Sequence, residues 1–462
     1  LLRALSRSLS RKGVKYLSLL ISYFLVMMWG TSLTWAEGSI NYTLNDCLQL
    51  ALKQNLELMI ARKNLTSAEL DWKETLATNS WQVNLQGGPR YSELNISRDI
   101  IEPENFISSL TLSVTDPLTS FSLNTQTYEG NYQWGLSAAR TLYDGYPGGR
   151  SQATIQQAEK GFDQKKMDIL RSQKDIVYQT KQVFFQLIQM QKSLDVNRQS
   201  FSYQQKQLER TRAFYESGMV PYLSVLEAET ALKEIELEML RGENNLRLSR
   251  WNLNYLLGLP EDTELSVIEE KGTSFPTLDF SLCLEEAFQS RIEFQQLGKT
   301  RDLQEINLRL TQSQKYPVVS LKGNVEWQSQ GLPDSYDWDV ELSLTFPLWD
   351  SKARDFGIQK ARLEIEKIAL EEEKLRRSIY REVQEAYLQY QEALKNLELI
   401  SKKLEEALEE YRLVENKAQM GLATPLDLMD AENNLREVRV EEIASRCDGN
   451  ISLALLEKSI GR

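Results

Sequence analysis

The 462-residue chain contains no histidine. Imidazole general bases, His-based triads and His metal ligands are therefore excluded. Cysteine is almost as scarce. Cys47, Cys283 and Cys447 are too few and too scattered for a zinc site or a disulfide framework, and no metal or other cofactor is expected. Positive charge is in deficit, with 54 Lys and Arg against 66 Asp and Glu and a formal charge of −12. A nucleic-acid partner needs a basic stripe to displace counterions, so none is expected. With only 22 glycines and 11 prolines, long uninterrupted elements are expected. Long apolar runs are missing beyond the first 30 residues, and a mean hydropathy of −0.43 excludes a polytopic helical membrane protein.

The one apolar run, residues 16–30, follows a basic stretch carrying Arg3, Arg7, Arg11, Lys12 and Lys15. It ends before Thr34-Trp35-Ala36, a small-residue cleavage pattern. The run is shorter than the roughly 20 residues a helical span needs, so residues 1–36 read as a secretory signal peptide. Removing its five positive charges leaves 49 against 66, a balance of −17. A secreted chain without a second apolar run crosses a membrane only by β-strands.

Sequence self-similarity comes next. Cys47-Leu48 and Ala51 return as Cys283-Leu284 and Ala287, at an offset of 236. The same offset carries Val83, Leu85 and Gly87 onto Val319, Leu321 and Gly323. Asp144 returns as Asp350 at offset 206, and the Gly218 segment returns at Gly421 at offset 203. Two copies are read, 37–275 and 276–462. Each has a short helix, two strands, a very long helix, a tight turn and a shorter helix. The fall in offset places an extra insert, 92–131, between the strands of the first copy. Ser, Thr and Asn crowd this insert, with Pro103 and Pro117, and it is read as an external loop.

The strands are strictly alternating. Val319, Leu321, Val325 and Trp327 alternate with Ser320, Lys322, Asn324 and Glu326, and Trp338, Val340, Leu342 and Leu344 with Asp339, Glu341 and Ser343. The first copy shows the pattern from Trp81 to Tyr91 and from Tyr132 to Ala138. A soluble sheet with one face on a core gives the same pattern. Trp81, Tyr91, Trp134, Trp327, Trp338 and Trp349 sit near the run ends, where membrane-interface aromatics belong. Together with the signal peptide, they favour strands facing membrane lipid. Four strands cannot close a barrel, so other copies must complete it: two give eight strands, three give twelve.

Residues 358–420 contain no Gly and no Pro, enough for a helix of about 95 Å. Two heptad ladders run along it, Ile379-Ala386-Ala393-Ile400-Ala407-Val414 and Val383-Tyr390-Leu397-Leu404-Tyr411-Ala418. These are packing seams. In the first copy, Ile176 and Val183 give way to Leu187, Leu194, Phe201 and Leu208, a register shift of four. Such helices far exceed a membrane core and must stand in water.

Together these residues resemble the TolC family of outer-membrane efflux channels. The carriers are Thr43-Leu44-x-x-Cys47-Leu48-x-Leu50-Ala51-Leu52-x-x-Asn55, the turns Gly218-Met219-Val220-Pro221 and Gly421-Leu422-Ala423-Thr424-Pro425, and Leu256-Leu257-Gly258-Leu259-Pro260. The resemblance implies a mainly α fold of long antiparallel coiled-coil helices forming a periplasmic α-barrel. It also implies a homotrimer in which four strands per chain complete a twelve-stranded transmembrane barrel. The two turns would form a tip that docks a periplasmic adaptor (membrane fusion) protein, fed by an inner-membrane pump or ABC exporter in efflux or type I secretion. Asp427 and Asp430 resemble the family's acidic periplasmic aperture, a ring of carboxylates favouring cations. The plainer alternative is that both stabilise a helix N-terminus. The family's tip latch of Asp, Tyr and Arg is not carried over, since Ser224, Ala418 and Ala423 stand there.

Two other classes compete. A secreted coiled-coil stalk or adhesin would explain the helices but not the aromatic-ended strands or the paired turns. An enzyme would need converging titratable groups. The carboxylates instead pair along helix faces, as Glu364 with Lys367 and Glu371 with Lys374, so no catalytic residue is assigned.

Overall fold

The computed structural model describes residues 40–92, 105–128, 131–147, 149–269, 275–329 and 335–462. The leader lies outside them, and so do residues 271–274 beside the repeat boundary at 275 and 276.

The elements follow in chain order. A short strand β1 (Ile40–Tyr42) precedes helices α1 (Leu44–Gln54) and α2 (Leu56–Thr78). Four strands come next: β2 (Gln82–Ser92), β3 (Asn105–Thr115), β4 (Thr119–Tyr128) and β5 (Asn131–Tyr143). They lead into α3 (Arg150–Glu216) and α4 (Tyr222–Leu257), then β6 (Leu265–Val267). The second half has α5 (Phe280–Ser290), α6 (Ile292–Ser313), β7 (Val318–Ser329), β8 (Ser335–Thr345), α7 (Ala353–Gln419) and α8 (Pro425–Ile460). The described residues form two compact units, Ile40–Asn41 with Glu264–Ser266, and the larger one from Tyr42 to Thr263 and from Val267 onward.

Helices α3 and α7 each run 67 residues, about 100 Å. None of the described helices is long and apolar enough to cross a membrane. The ladder on α7 is the packed face: Ile379, Val383, Ala386, Tyr390, Ile400 and Ala407 are buried. Tyr390 also donates its hydroxyl proton to the Pro276 carbonyl at 2.8 Å. On α3, Ile176, Leu187, Leu194 and Leu208 are buried as the ladder requires.

Each long helix is covered by shorter ones meeting end to end. Trp72 of α2 stacks on Phe162 near the start of α3, at 5.8 Å between ring centroids. Helix α4 folds back along the other end of α3 from its tight turn and finishes against the α1–α2 junction. There a Cβ at Gly258 would lie 2.4 Å from the Gln54 carbonyl oxygen. The other half has the same junction: a Cβ at Gly461 would meet the Ser290 carbonyl at 3.2 Å. Both glycines take positive φ, 68° and 84°, as helix-ending residues. The first helix of each half is thus two helices rather than one, broken at Asn55 and at Arg291. Burial pushes the Cys47 thiol up to about 12, and Cys283, 236 residues on, is also buried. Both sulfurs act as small apolar core groups.

The sheet corrects the strand count. Six strands, not four, form one antiparallel meander in the order β2-β3-β4-β5-β7-β8. The insert read as an external loop contributes β3 and β4. Its proline at 117 sits in the turn between them. Asp116 accepts from the backbone N–H groups of Leu118 and Thr119, each at 2.7 Å, and its own N–H donates to the Thr119 carbonyl. Asp-Pro at the start of a turn is favourable chemistry for a tight reversal, so the proline marks the hairpin rather than a loop. Ser and Thr hid the strand pattern because they occupy the polar face of both strands.

Candidate functional site

Two regions carry the groups singled out above: the turns joining the long helices to α4 and α8, and the sheet at the opposite end of those helices.

The two turns have the same backbone. Gly218 has φ 76° and donates its N–H to Tyr215, while the Met219 N–H reaches back to Phe214 at 2.8 Å. Gly421 has φ 73°, its N–H meets Ala418, and the Leu422 N–H reaches Lys417 at 2.8 Å. These are glycine-terminated helix ends that satisfy the last carbonyls. A Cβ at either glycine would meet no atom within 4 Å, so backbone angle and not space requires glycine there.

Large apolar side chains crown the turns. Met219, Met420 and Leu422 are 72–75% exposed, and Tyr222, Leu223 and Leu426 are exposed beside them. Val220, Ala423, Ser224 and Ala418 are half-buried. The two alanines carry no polar group for a latch.

The helices after the turns start differently. Pro221 precedes α4 without a side-chain cap. Thr424 caps α8, which opens with Pro425, in a reciprocal box with Asp427. The Asp427 Oδ2 accepts from the Thr424 N–H at 2.8 Å and from the Thr424 hydroxyl at 2.7 Å, and the Asp427 N–H donates to Thr424 Oγ1 at 3.2 Å. These bonds from Thr424 hold the Asp427 carboxyl below the ordinary aspartate value. Asp430, one turn on, is exposed and has no hydrogen-bond or ion-pair partner among the described residues. The two carboxylates therefore differ: Asp427 is committed to the helix start, and Asp430 is free.

One buried polar feature does not follow from the apolar pattern. Above the tip, α3 turns a polar row inward: Ser200, Gln204, Gln207 and Thr211 are buried. Facing them are Glu432 and Asn433 of α8 and Tyr411 of α7. Gln204 Nε2 donates to Asn433 Oδ1 at 3.5 Å, and Tyr203 meets Tyr411 edge-on at 6.5 Å. Burial pushes the Glu432 carboxyl up. The spacing 200-204-207-211 is itself heptad-like, a signal the sequence held.

The sheet presents two chemically distinct faces. Register runs Leu85↔Leu112, Leu112↔Leu123, Leu123↔Leu136, Leu136↔Val325 and Val325↔Trp338. This apolar row crosses all six strands. The neighbouring row is polar throughout: Asn84, Ser113, Ser122, Ser137, Asn324 and Asp339. Ser122 and Ser137 share a hydrogen bond of 2.6 Å, and the Asn324 amide donates to the Asp339 carboxylate at 3.0 Å. Aromatics cluster at both ends. Trp81, Tyr143 and Trp349 lie at the helix side, with Trp349 84% exposed. Tyr132, Trp134, Trp327, Tyr336 and Trp338 lie toward the far side, Trp134 paired in register with Trp327. Tyr91 falls one residue from the far end of β2. Trp81 stacks on Phe121 of the β3–β4 hairpin at 6.2 Å.

Comparison with known proteins places this geometry. The family described as outer membrane efflux protein matches residues 47–259 and 283–462. Outer membrane protein TolC of Vibrio cholerae is 20% identical over 337 residues, 71% of this chain and 76% of that protein. Nodulation protein T of Rhizobium leguminosarum is 22% identical over 299 residues, 63% of this chain and 54% of that protein. The fold matches the crystal structure of the outer membrane protein VceC of Vibrio cholerae with TM-score 0.70 at 17% identity, over 90% of this chain and 96% of that one. It matches CusC with TM-score 0.72 at 15% identity, over 93% and 95%.

Proposed function

Since the chain belongs to the outer membrane efflux protein family, we propose that three copies of it form a passive outer-membrane conduit for cargo delivered by an inner-membrane pump or ABC exporter. The observation that carries this reading is the six-stranded sheet. One face carries an apolar row from edge to edge, aromatics ring both ends, and the sheet stands at one end of helices about 100 Å long. An apolar sheet face of 10–13 residues per strand suits lipid. Helices with charged outer faces suit the aqueous space below it. Residues 37–275 and 276–462 act in this reading as two copies of one plan.

The crown of Met219, Met420 and Leu422 at the tip is the docking surface for a periplasmic adaptor. It is apolar, exposed and held on two rigid glycine turns, which suits a partner surface of matching apolar character. Around the threefold axis Asp430 repeats as a ring of three carboxylates, with Asp427 beside it. Such a ring favours cations at the aperture.

The test is single-channel recording. The double substitution Asp427→Ala and Asp430→Ala should lower cation selectivity. Selectivity equal to that of the unaltered protein would remove the ring.

A further inference from the structure

We propose that three copies of this chain close an eighteen-stranded barrel, with β8 of each copy pairing with β2 of the next, rather than a twelve-stranded one. The inference rests on the trimer proposed above.

The β3–β4 hairpin is built as wall. It is hydrogen-bonded to β2 along all eleven residues of β3 and to β5 along all ten of β4. Its lipid-side residues Leu110, Leu112, Phe121 and Leu123 continue the apolar rows of the flanking strands. Its other face carries Ser109, Thr111, Ser113, Ser120, Ser122 and Asn124, an uncharged hydroxyl and amide lining. Expelling the hairpin from the wall would leave those apolar side chains in water and oblige β2 to pair with β5 directly.

The two edges fit each other. Strands β2 and β8 are both eleven residues long, and an even strand count makes them antiparallel when two copies meet. Edge side chains are more exposed than inner ones. Val83, Leu85, Val340 and Leu342 are 64–68% exposed, against 40–48% for Leu110, Leu112, Leu123 and Leu136. That difference is the area a neighbouring strand covers. The polar face of β8 carries Asp337, Asp339 and Glu341, whereas the charge on β2 is Arg90, so the seam joins opposite signs. Open backbone edges are not tolerated in hydrocarbon, so a second copy is the occupant the site requires. Barrel diameter grows roughly linearly with strand number, so the exit is about 1.5-fold wider than a twelve-stranded one.

Paired cysteines, combined with imaging of the purified full-length oligomer, test this. Asn84, Ser113, Ser122 and Ser137 form one row across β2 to β5. Asn84→Cys with Ser113→Cys should form a disulfide in native membranes. Asn84→Cys with Ser137→Cys should not, because those positions lie three strands apart, beyond disulfide reach. Imaging should count eighteen strands around three copies. A trimer with twelve strands, or a trimer in which positions 84 and 137 cross-link, overturns the inference and leaves the trimer standing. An oligomer of another copy number overturns the trimer reading itself.

Discussion

Asn55 ties two helix ends together: its Nδ2 donates to the Leu256 carbonyl at 2.9 Å while its Oδ1 accepts from the Glu57 and Leu58 N–H groups. One buried side chain starts α2 and closes the end of α4. Replacing it with alanine removes an N-cap and strands a carbonyl, for a cost of about 2 kcal/mol. Asn55→Ser keeps a capping oxygen and loses the donated bond. The helical thermal midpoint should therefore fall for Asn55→Ala and fall less for Asn55→Ser.

The positive-φ glycines separate into two kinds. At Gly218 and Gly421 a methyl group meets open space, so alanine costs only the left-handed backbone penalty of roughly 1–2 kcal/mol. At Gly258 it also runs into the Gln54 backbone at 2.4 Å. Gly258→Ala should lower the thermal midpoint well beyond Gly218→Ala. Equal losses would show that the helix junction yields freely.

The capping box at α8 is pH-dependent. The Asp427 carboxyl lies below its ordinary value because Thr424 donates to the ionised form. A depressed carboxyl pKa contributes stability above the unfolded value and loses it as pH falls through the folded one. Hydrogen exchange at the first turn of α8, corrected for intrinsic rates, should show protection lost only at pH below about 4. Thr424→Ala should remove that protection at all pH values.

Glu432 has the opposite sign. Burial raises its carboxyl above the usual value, so the folded state holds its proton more tightly than the unfolded one. Its contribution is complete below the unfolded value and declines as pH rises through the raised one. The polar seam between α3 and α8 should loosen over that rise. Glu432→Gln should flatten the pH dependence of the thermal midpoint and raise the midpoint at neutral pH. A midpoint with the same slope in both proteins would show that Glu432 does not titrate in the seam.

Much of this was legible in the chain. The strand faces followed from period-2 alternation, and the α7 seam from heptads, because the burial of apolar side chains organises both. The positive φ of Gly218 and Gly421 was legible too, since tight reversals favour glycine. The β3–β4 hairpin was not legible, because one face of its strands needs only polarity. Ser109, Thr111, Ser113 and Ser122 supply it with the composition of a loop. Proline at 117 adds to this: it punctuates a hairpin as readily as a loop, and Asp116 before it is the discriminating residue. The difference between Asp427 and Asp430 was also hidden. Both are acidic residues early in a helix, and only the bonds to Thr424 show which one is occupied.

If three copies of this chain complete a pore, purified protein added to planar bilayers should give discrete conductance steps, cation-biased under a salt gradient, from a species that needs detergent to stay dispersed. A monomer that remains dispersed without detergent and leaves the bilayer silent would rule the pore out.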